Sequence, residues 1–119
     1  DKPESVHMLL MQAMITAANA DGHIDSKEQS NIFEQVEKMG FSNEQKGALF
    51  EELRQPKSID ELINSIPDSE TALDVYAASA IAIDMQQLES IEYMDQLSIK
   101  LGIPPSLREA VHEQTKQLE

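Results

Sequence analysis

The chain has 119 residues, of which 40% are apolar, so one domain over residues 1–119 with its own buried core is predicted. Its 22 acidic and 9 basic residues give a formal net charge of −13, which disfavours nucleic acid and anionic lipid as partners and favours cations and basic protein surfaces. It has no cysteine, which excludes disulfides and thiolate metal sites.

The first half of the chain predicts three helices. Helix 1 is expected over residues 3–20 and is apolar on most of its surface. After an Asp-Gly turn, Asp25 caps helix 2, with Glu28 at capping-box spacing, and Gly40 ends that helix. Helix 3 begins at Ser42. Its expected inner residues are Leu49, Phe50 and Leu53.

The second half predicts a short helix 4 over residues 58–66, followed by three longer helices over 69–85, 88–101 and 104–118. The expected inner residues of helix 6 are Ile91, Met94, Leu97 and Leu101. The apolar stretch inside helix 5 covers residues 75–83, far fewer than the roughly 20 residues that span a bilayer. The pattern therefore predicts an all-α domain that does not itself cross a membrane.

The two halves resemble each other. In both, an apolar helix meets an acidic bend, and the next helix ends in a similar way: Met39-Gly40-Phe41 in the first half and Leu101-Gly102-Ile103 in the second. The matching positions are about 62 residues apart. We predict a compact bundle of about seven helices, built from two pseudo-repeated three-helix units joined by short helix 4. Chance is the alternative, since glycine ends many helices.

The bend after helix 1 is the segment most suggestive of ligand chemistry. Asp21, Asp25 and Glu28 offer carboxylate oxygens, which hard divalent cations such as Ca²⁺, Mg²⁺ or Mn²⁺ prefer. A partly hydrated cation site at these residues is one hypothesis. The other is purely structural: Gly22 permits the turn, Asp25 and Glu28 cap helix 2, and Asp21 bonds backbone amides within the turn.

An EF-hand-like calcium switch is an alternative interpretation of the same segment. Asn19, Asp21 and Gly22 would fall at positions 3, 5 and 6 of the calcium loop, and Glu28 at position 12. Position 1, which normally supplies a carboxylate, is Ala17. A helical backbone at this position could not wrap an ion, which argues against this alternative.

No catalytic residue is predicted, and the chain is expected not to be an enzyme. The remaining alternative is a carboxylate-based hydrolase, which would require Asp21, Asp84 and Glu92 to meet in one cleft. The three histidines are scattered along the chain, and each is expected to lie at the surface or to have a hydrogen-bond partner. They are His7, His23 and His112.

The chain resembles the TerB-like, tellurite-resistance type of domain. The resemblance rests on the alanine-rich helix end, the Asp-Gly turn and the following Glu over residues 17–28. It continues in Ala80-Ile81-Ala82-Ile83-Asp84, in Tyr93-Met94 and in Leu101-Gly102-Ile103. Within that group it is most similar to the YebE-type bacterial inner-membrane proteins, a family of unknown function.

The resemblance implies an all-α fold of about seven helices and no known activity. Some relatives are associated with tellurite or stress resistance, and the acidic cation sites proposed for them correspond here to Asp21, Asp25 and Glu28, with Asp84 as the counterpart in the second half. It also implies a parent protein anchored in the bacterial inner membrane, of which this chain is an excised soluble part, with the cytoplasmic face favoured. The function expected is a non-enzymatic interaction or sensing module.

Overall fold

The computed structural model describes residues 3–20, 24–83 and 88–117, and within these ranges the chain forms helices and no strand. Seven helices follow one another: α1 (Pro3–Ala18), α2 (Ser26–Lys38), α3 (Asn43–Arg54), α4 (Ile59–Asn64), α5 (Ser69–Ala82), α6 (Leu88–Leu101) and α7 (Pro105–Gln117). The radius of gyration is 13.1 Å, close to the roughly 13.5 Å expected for a compact chain of this length. The predicted all-α bundle is confirmed.

Side-chain caps begin several helices where the sequence predicts them. Asp25, Ser42 and Ser58 each accept a hydrogen bond from the backbone N–H three residues on. The side chain of the Glu or Gln at that position accepts in turn from the backbone N–H of the cap residue. Asp68 caps α5 by accepting from the backbone N–H of Thr71 at 2.8 Å. These bonds satisfy N–H groups that the first turn of a helix leaves without an intrahelical partner.

Two glycines end α2 and α6 in the same way. Gly40 has φ +72° and Gly102 has φ +70°, the left-handed conformation that costs glycine least. Beyond them the backbone N–H of Phe41 and of Ile103 turns back to the carbonyl five residues earlier, at 3.5 and 2.9 Å. This Schellman geometry satisfies the last carbonyls of both helices.

The helix map confirms the internal repeat. The first residues of α2 and α6 are 62 positions apart, as are those of α3 and α7 and the glycines that end α2 and α6. Helices α1 to α3 thus correspond to α5 to α7, and α4 joins the two units. Leu62 of α4 is fully buried against Leu9, Ala13 and Val75, so the connecting helix also contributes to the core.

The predicted central pair, α1 and α5, forms the most extensive helix contact of the bundle. Small side chains allow the two backbones to approach closely, because a ridge of alanine fills little space. These buried small residues are Ala13, Ala17 and Ala18 of α1 and Ala72, Ala78, Ser79, Ala80 and Ala82 of α5.

Each central helix also packs on the second helix of the other unit. Ala17 of α1 lies in one apolar cluster with Met94 and Leu97 of α6. Ala78 and Ala82 of α5 lie in another cluster with Ile32 and Val36 of α2. The two units are therefore interlocked, and neither core is complete without residues from the other unit.

Three details of the prediction are wrong. Helix α1 ends at Ala18 rather than at residue 20, since the backbone N–H of Ala20 already bonds in a tighter turn to the carbonyl of Ala17 at 3.1 Å. Helix α5 ends at Ala82 rather than at residue 85. Phe50 and Ile91, expected inside, are 56% and 37% exposed, because α3 and α6 turn other residues toward the core.

Candidate functional site

The bend between α1 and α2 holds the predicted acidic site. The described part of α1 continues as a helical turn to Asn19, whose N–H bonds to the carbonyl of Ile15 at 3.0 Å. Asp21 lies in residues 21–23 and Asp84 in residues 84–87, and both are outside the described residues. Of the four predicted ligands, the described residues include Asp25 and Glu28, which lie together at the start of α2.

Asp25 and Glu28 form the predicted capping box. The Oδ1 atom of Asp25 accepts from the backbone N–H of Glu28 at 2.8 Å, and Oε1 of Glu28 accepts from the backbone N–H of Asp25 at 3.0 Å. Asp25 is exposed, whereas Glu28 is only 4% exposed. One oxygen of each carboxylate thus already has a structural role at the positive end of the helix.

The arrangement gives no support to an EF-hand register. Ala17 would supply the first ligand of that loop, yet it lies inside α1, is 1% exposed and carries no oxygen in its side chain. Among the residues that the structure describes, no group of three or more His, Asp and Glu side chains is placed to hold a metal ion. The set Asp21, Asp25 and Glu28 stays a prediction, as does Asp84.

An open cleft of about 320 Å³ lies beside this bend, between the end of α1 and the first half of α6. Ala20, Glu89, Glu92, Tyr93 and Gln96 line it. The cleft contains one residue of the hydrolase hypothesis, Glu92, and reaches the residue before Asp21. Because Asp21 and Asp84 lie outside the described residues, the hydrolase hypothesis stays a prediction.

The phenol of Tyr93 is unusual within this cleft. Its hydroxyl oxygen is buried and has no hydrogen-bond partner among the residues that the structure describes. Burial also raises the pKa of the phenol, because the charged form would lose its hydration. A buried hydroxyl without a hydrogen-bond partner lowers the stability of the fold, because it loses its hydration and gains no bond in return.

A second polar group, which the sequence does not reveal, connects α5, α6 and α7. The Tyr76 hydroxyl and the Nε2 atom of His112 are 2.7 Å apart, and Nε of Arg108 donates to that hydroxyl at 3.3 Å. The Nη2 atom of Arg108 also donates to Asp95 of α6. Since the guanidinium can only donate, the phenol accepts from Arg108, whereas the tautomer of His112 decides whether the phenol donates to Nε2 or accepts from it.

The surroundings of His112 favour the neutral form of its imidazole. Burial and then the positive charge of Arg108 lower the pKa of the imidazole, although Asp95 opposes the shift. The expectation that His112 has a hydrogen-bond partner is confirmed. The available signal was Tyr76 itself, because a tyrosine in the middle of an apolar helix needs a partner for its hydroxyl.

Comparison with known proteins gives a family match and a similar bacterial protein. A family model described as "Protein of unknown function (DUF533)" matches residues 1–115. The chain is also similar to a protein of Yersinia enterocolitica described as "Uncharacterized protein in ampR 5'region", with 28% identity over 108 residues, which are 91% of this chain and 78% of the relative. No solved structure matches the chain. Neither description names an activity.

Proposed function

The chain belongs to the DUF533 family of proteins of unknown function, and we propose that it is a non-enzymatic interaction or sensing module of an envelope-associated bacterial protein. The observation that carries the proposal is the excess of unpaired carboxylates at its surface. The net charge is −13, and exposed acids such as Glu89 and Glu92 face the cleft with no Lys or Arg paired to them within the described residues. A basic partner would relieve this local repulsion.

Binding to a basic chain tests the proposal directly. The native chain is expected to bind a fluorescent poly-lysine of about 20 residues at low salt, because exposed charges interact over about 10 Å at 0.1 M ionic strength. We expect the affinity, measured by fluorescence anisotropy, to fall by at least about tenfold between roughly 50 and 500 mM NaCl, as screening shortens that range. Poly-glutamate of the same length is the control. Equal affinity for both polymers, or none for poly-lysine, would contradict the proposal.

A divalent cation at Asp21, Asp25 and Glu28 is the second part of the proposal. Its support is the closeness of Asp25 and Glu28, whose carboxylates the capping box holds within one helical turn. Binding to the folded state alone would raise the melting temperature in millimolar Ca²⁺, Mg²⁺ or Mn²⁺. Coincident melts with and without these ions would remove the cation from the proposal.

Substitutions of Asp25 separate its two roles. Asp25→Ala is expected to lower the free energy of unfolding by about 0.5–2 kcal/mol without added metal, since the N-cap is lost. Asp25→Asn caps a helix about as well, so it should leave that free energy nearly unchanged. If a cation binds here, Asp25→Asn and Asp21→Asn both reduce the metal-induced rise in melting temperature. A full rise in Asp25→Asn would exclude Asp25 as a ligand.

We also propose a location for the protein in the cell. The likeness of residues 17–28 and 80–84 to TerB-like domains, and to YebE-type proteins among them, supports a parent anchored in the inner membrane, with this domain on the cytoplasmic face. In the part of the chain that the structure describes, no helix is both long and apolar enough to cross a membrane. Fractionation of cells that express the parent protein tests the anchoring: recovery only in the soluble fraction would contradict it.

A further inference from the structure

The outward face of α6 carries three large apolar side chains. Leu88 is 66% exposed, Ile91 is 37% exposed and Ile99 is 77% exposed. Spacings of three and eight residues place them on one side of the helix, along a line of about 16 Å. We refer to Leu88, Ile91 and Ile99 as the α6 stripe.

The α6 stripe is not needed for the bundle to fold. The opposite side of α6 already supplies the core with Met94 and Leu97, both fully buried. Helix α6 therefore has two apolar sides: one packs in the core of the bundle, and the other is exposed to water. Single exposed apolar residues are common, but three in line on one helix form a surface that a partner can cover.

Acidic groups border the stripe on the side of the cleft. Glu89 and Glu92 are exposed and line that cleft together with Tyr93. The other charges of α6 are already paired: Asp95 with Arg108, and Lys100 with Asp60 at 3.2 Å. Within the described residues, the surface next to the stripe thus presents two carboxylates that are not paired with Lys or Arg.

From this juxtaposition we infer that the outward face of α6 binds a basic amphipathic helix of a partner protein. The apolar side of that helix covers the α6 stripe, and a Lys or Arg side chain enters the cleft, between Glu89 and Glu92 and toward Tyr93. The partner's cation donates hydrogen bonds to the carboxylates, and its apolar residues provide the buried area. This inference rests on the proposed function and names the surface that would serve it.

Charge decides between this occupant and two others. A second copy of the chain would bring another net charge of −13 and a second Glu89 and Glu92 to the contact, so self-association is opposed by repulsion. A bilayer rich in anionic lipid is repelled for the same reason. A helix with lysine or arginine beside its apolar face is complementary both to the α6 stripe and to the carboxylates of Glu89 and Glu92.

A synthetic helix of leucine and lysine is the probe. A fluorescein-labelled peptide of about 18 residues, with leucine on one side and lysine on the other, is titrated with the native chain and followed by anisotropy. We expect it to bind at least about tenfold more tightly than a peptide of the same composition in scrambled order. In a ¹H–¹⁵N spectrum the amides of residues 88–100 should shift most.

Variants of exposed residues locate the contact. The double variant L88S/I99S should weaken binding of the helical peptide by about tenfold or more, and E89Q/E92Q should weaken it and reduce its salt dependence. The matched control is F50S, which removes an apolar side chain that is 56% exposed on α3. Its affinity should equal that of the native chain.

The outcomes separate this inference from the proposed function. Native affinity in L88S/I99S, or amide shifts confined to helices other than α6, would overturn the inference while poly-lysine binding upheld the function. Loss of binding to every basic probe would overturn both. Two other results would overturn the inference if L88S/I99S abolished them. One is self-association in sedimentation velocity, and the other is tighter binding to phosphatidylglycerol vesicles than to the peptide.

Discussion

Tyr76→Ala is expected to lower the free energy of unfolding by about 3–5 kcal/mol, the usual cost of truncating a buried aromatic residue. Tyr76 is fully buried in α5, in one apolar cluster with Met94 and Leu97, and its ring meets that of His112 edge-on with the centroids 5.5 Å apart. Because whole domains are stable by only about 5–15 kcal/mol, this one change removes a large share of the total. Urea denaturation followed by circular dichroism measures it.

The two tyrosines of the chain allow the ring and the hydroxyl to be separated. Tyr76→Phe keeps the ring but leaves His112 and Arg108 without their shared partner, so we expect a loss of about 1–3 kcal/mol. Tyr93→Phe removes a buried hydroxyl that has no partner in the described part of the chain, so stability should be unchanged or higher. Equal losses in the two variants would show that the hydrogen bonds of Tyr76 do not stabilise the fold.

Leu97→Ala is the second large effect, with an expected loss of about 2–5 kcal/mol. Leu97 is fully buried on the inner side of α6, where the second repeat unit meets Ala17 of the first. Truncation leaves a cavity between the two units, which rigid helices close only in part. The same urea titration measures the loss, and a single cooperative transition is expected because the units share their cores.

Ile99→Ala is the matched control for Leu97→Ala. The two residues lie two positions apart on opposite sides of α6, and Ile99 is 77% exposed. Its truncation should change the free energy of unfolding by no more than about 0.5 kcal/mol. A loss as large as that of Leu97→Ala would mean that α6 is turned the other way, which would also remove the basis for the α6 stripe as a binding surface.

Most helix boundaries of this protein could be predicted from the sequence because they depend on local chemistry. A cap such as Asp25 or Ser42 bonds to a backbone N–H three residues away. Gly40 and Gly102 adopt a backbone angle that other residues rarely take. The repeat followed from the same signals, since α6 and α7 begin 62 residues after α2 and α3, and Gly102 lies 62 residues after Gly40.

In the candidate site too, contacts between residues close in the sequence could be predicted, and contacts between distant residues could not. The capping box of Asp25 and Glu28 was predictable, because both partners lie within one helical turn. The cleft was not, since it joins Ala20 to Glu92 and Tyr93, which are more than 70 positions away in the sequence. Nor did any pattern place His112 and Arg108 at the hydroxyl of Tyr76.

The sequence by itself thus determined the helices, most of their ends and their duplication, because these depend on capping and turn signals within about five positions of one another. Only the tertiary structure decided which side of α6 is buried, since that helix has apolar residues on both sides. Ser90 and Ser98 lie on the buried side, where small side chains allow α6 to approach the centre closely. Packing against helices distant in the chain, which no local pattern encodes, left Ile91 and Ile99 facing water.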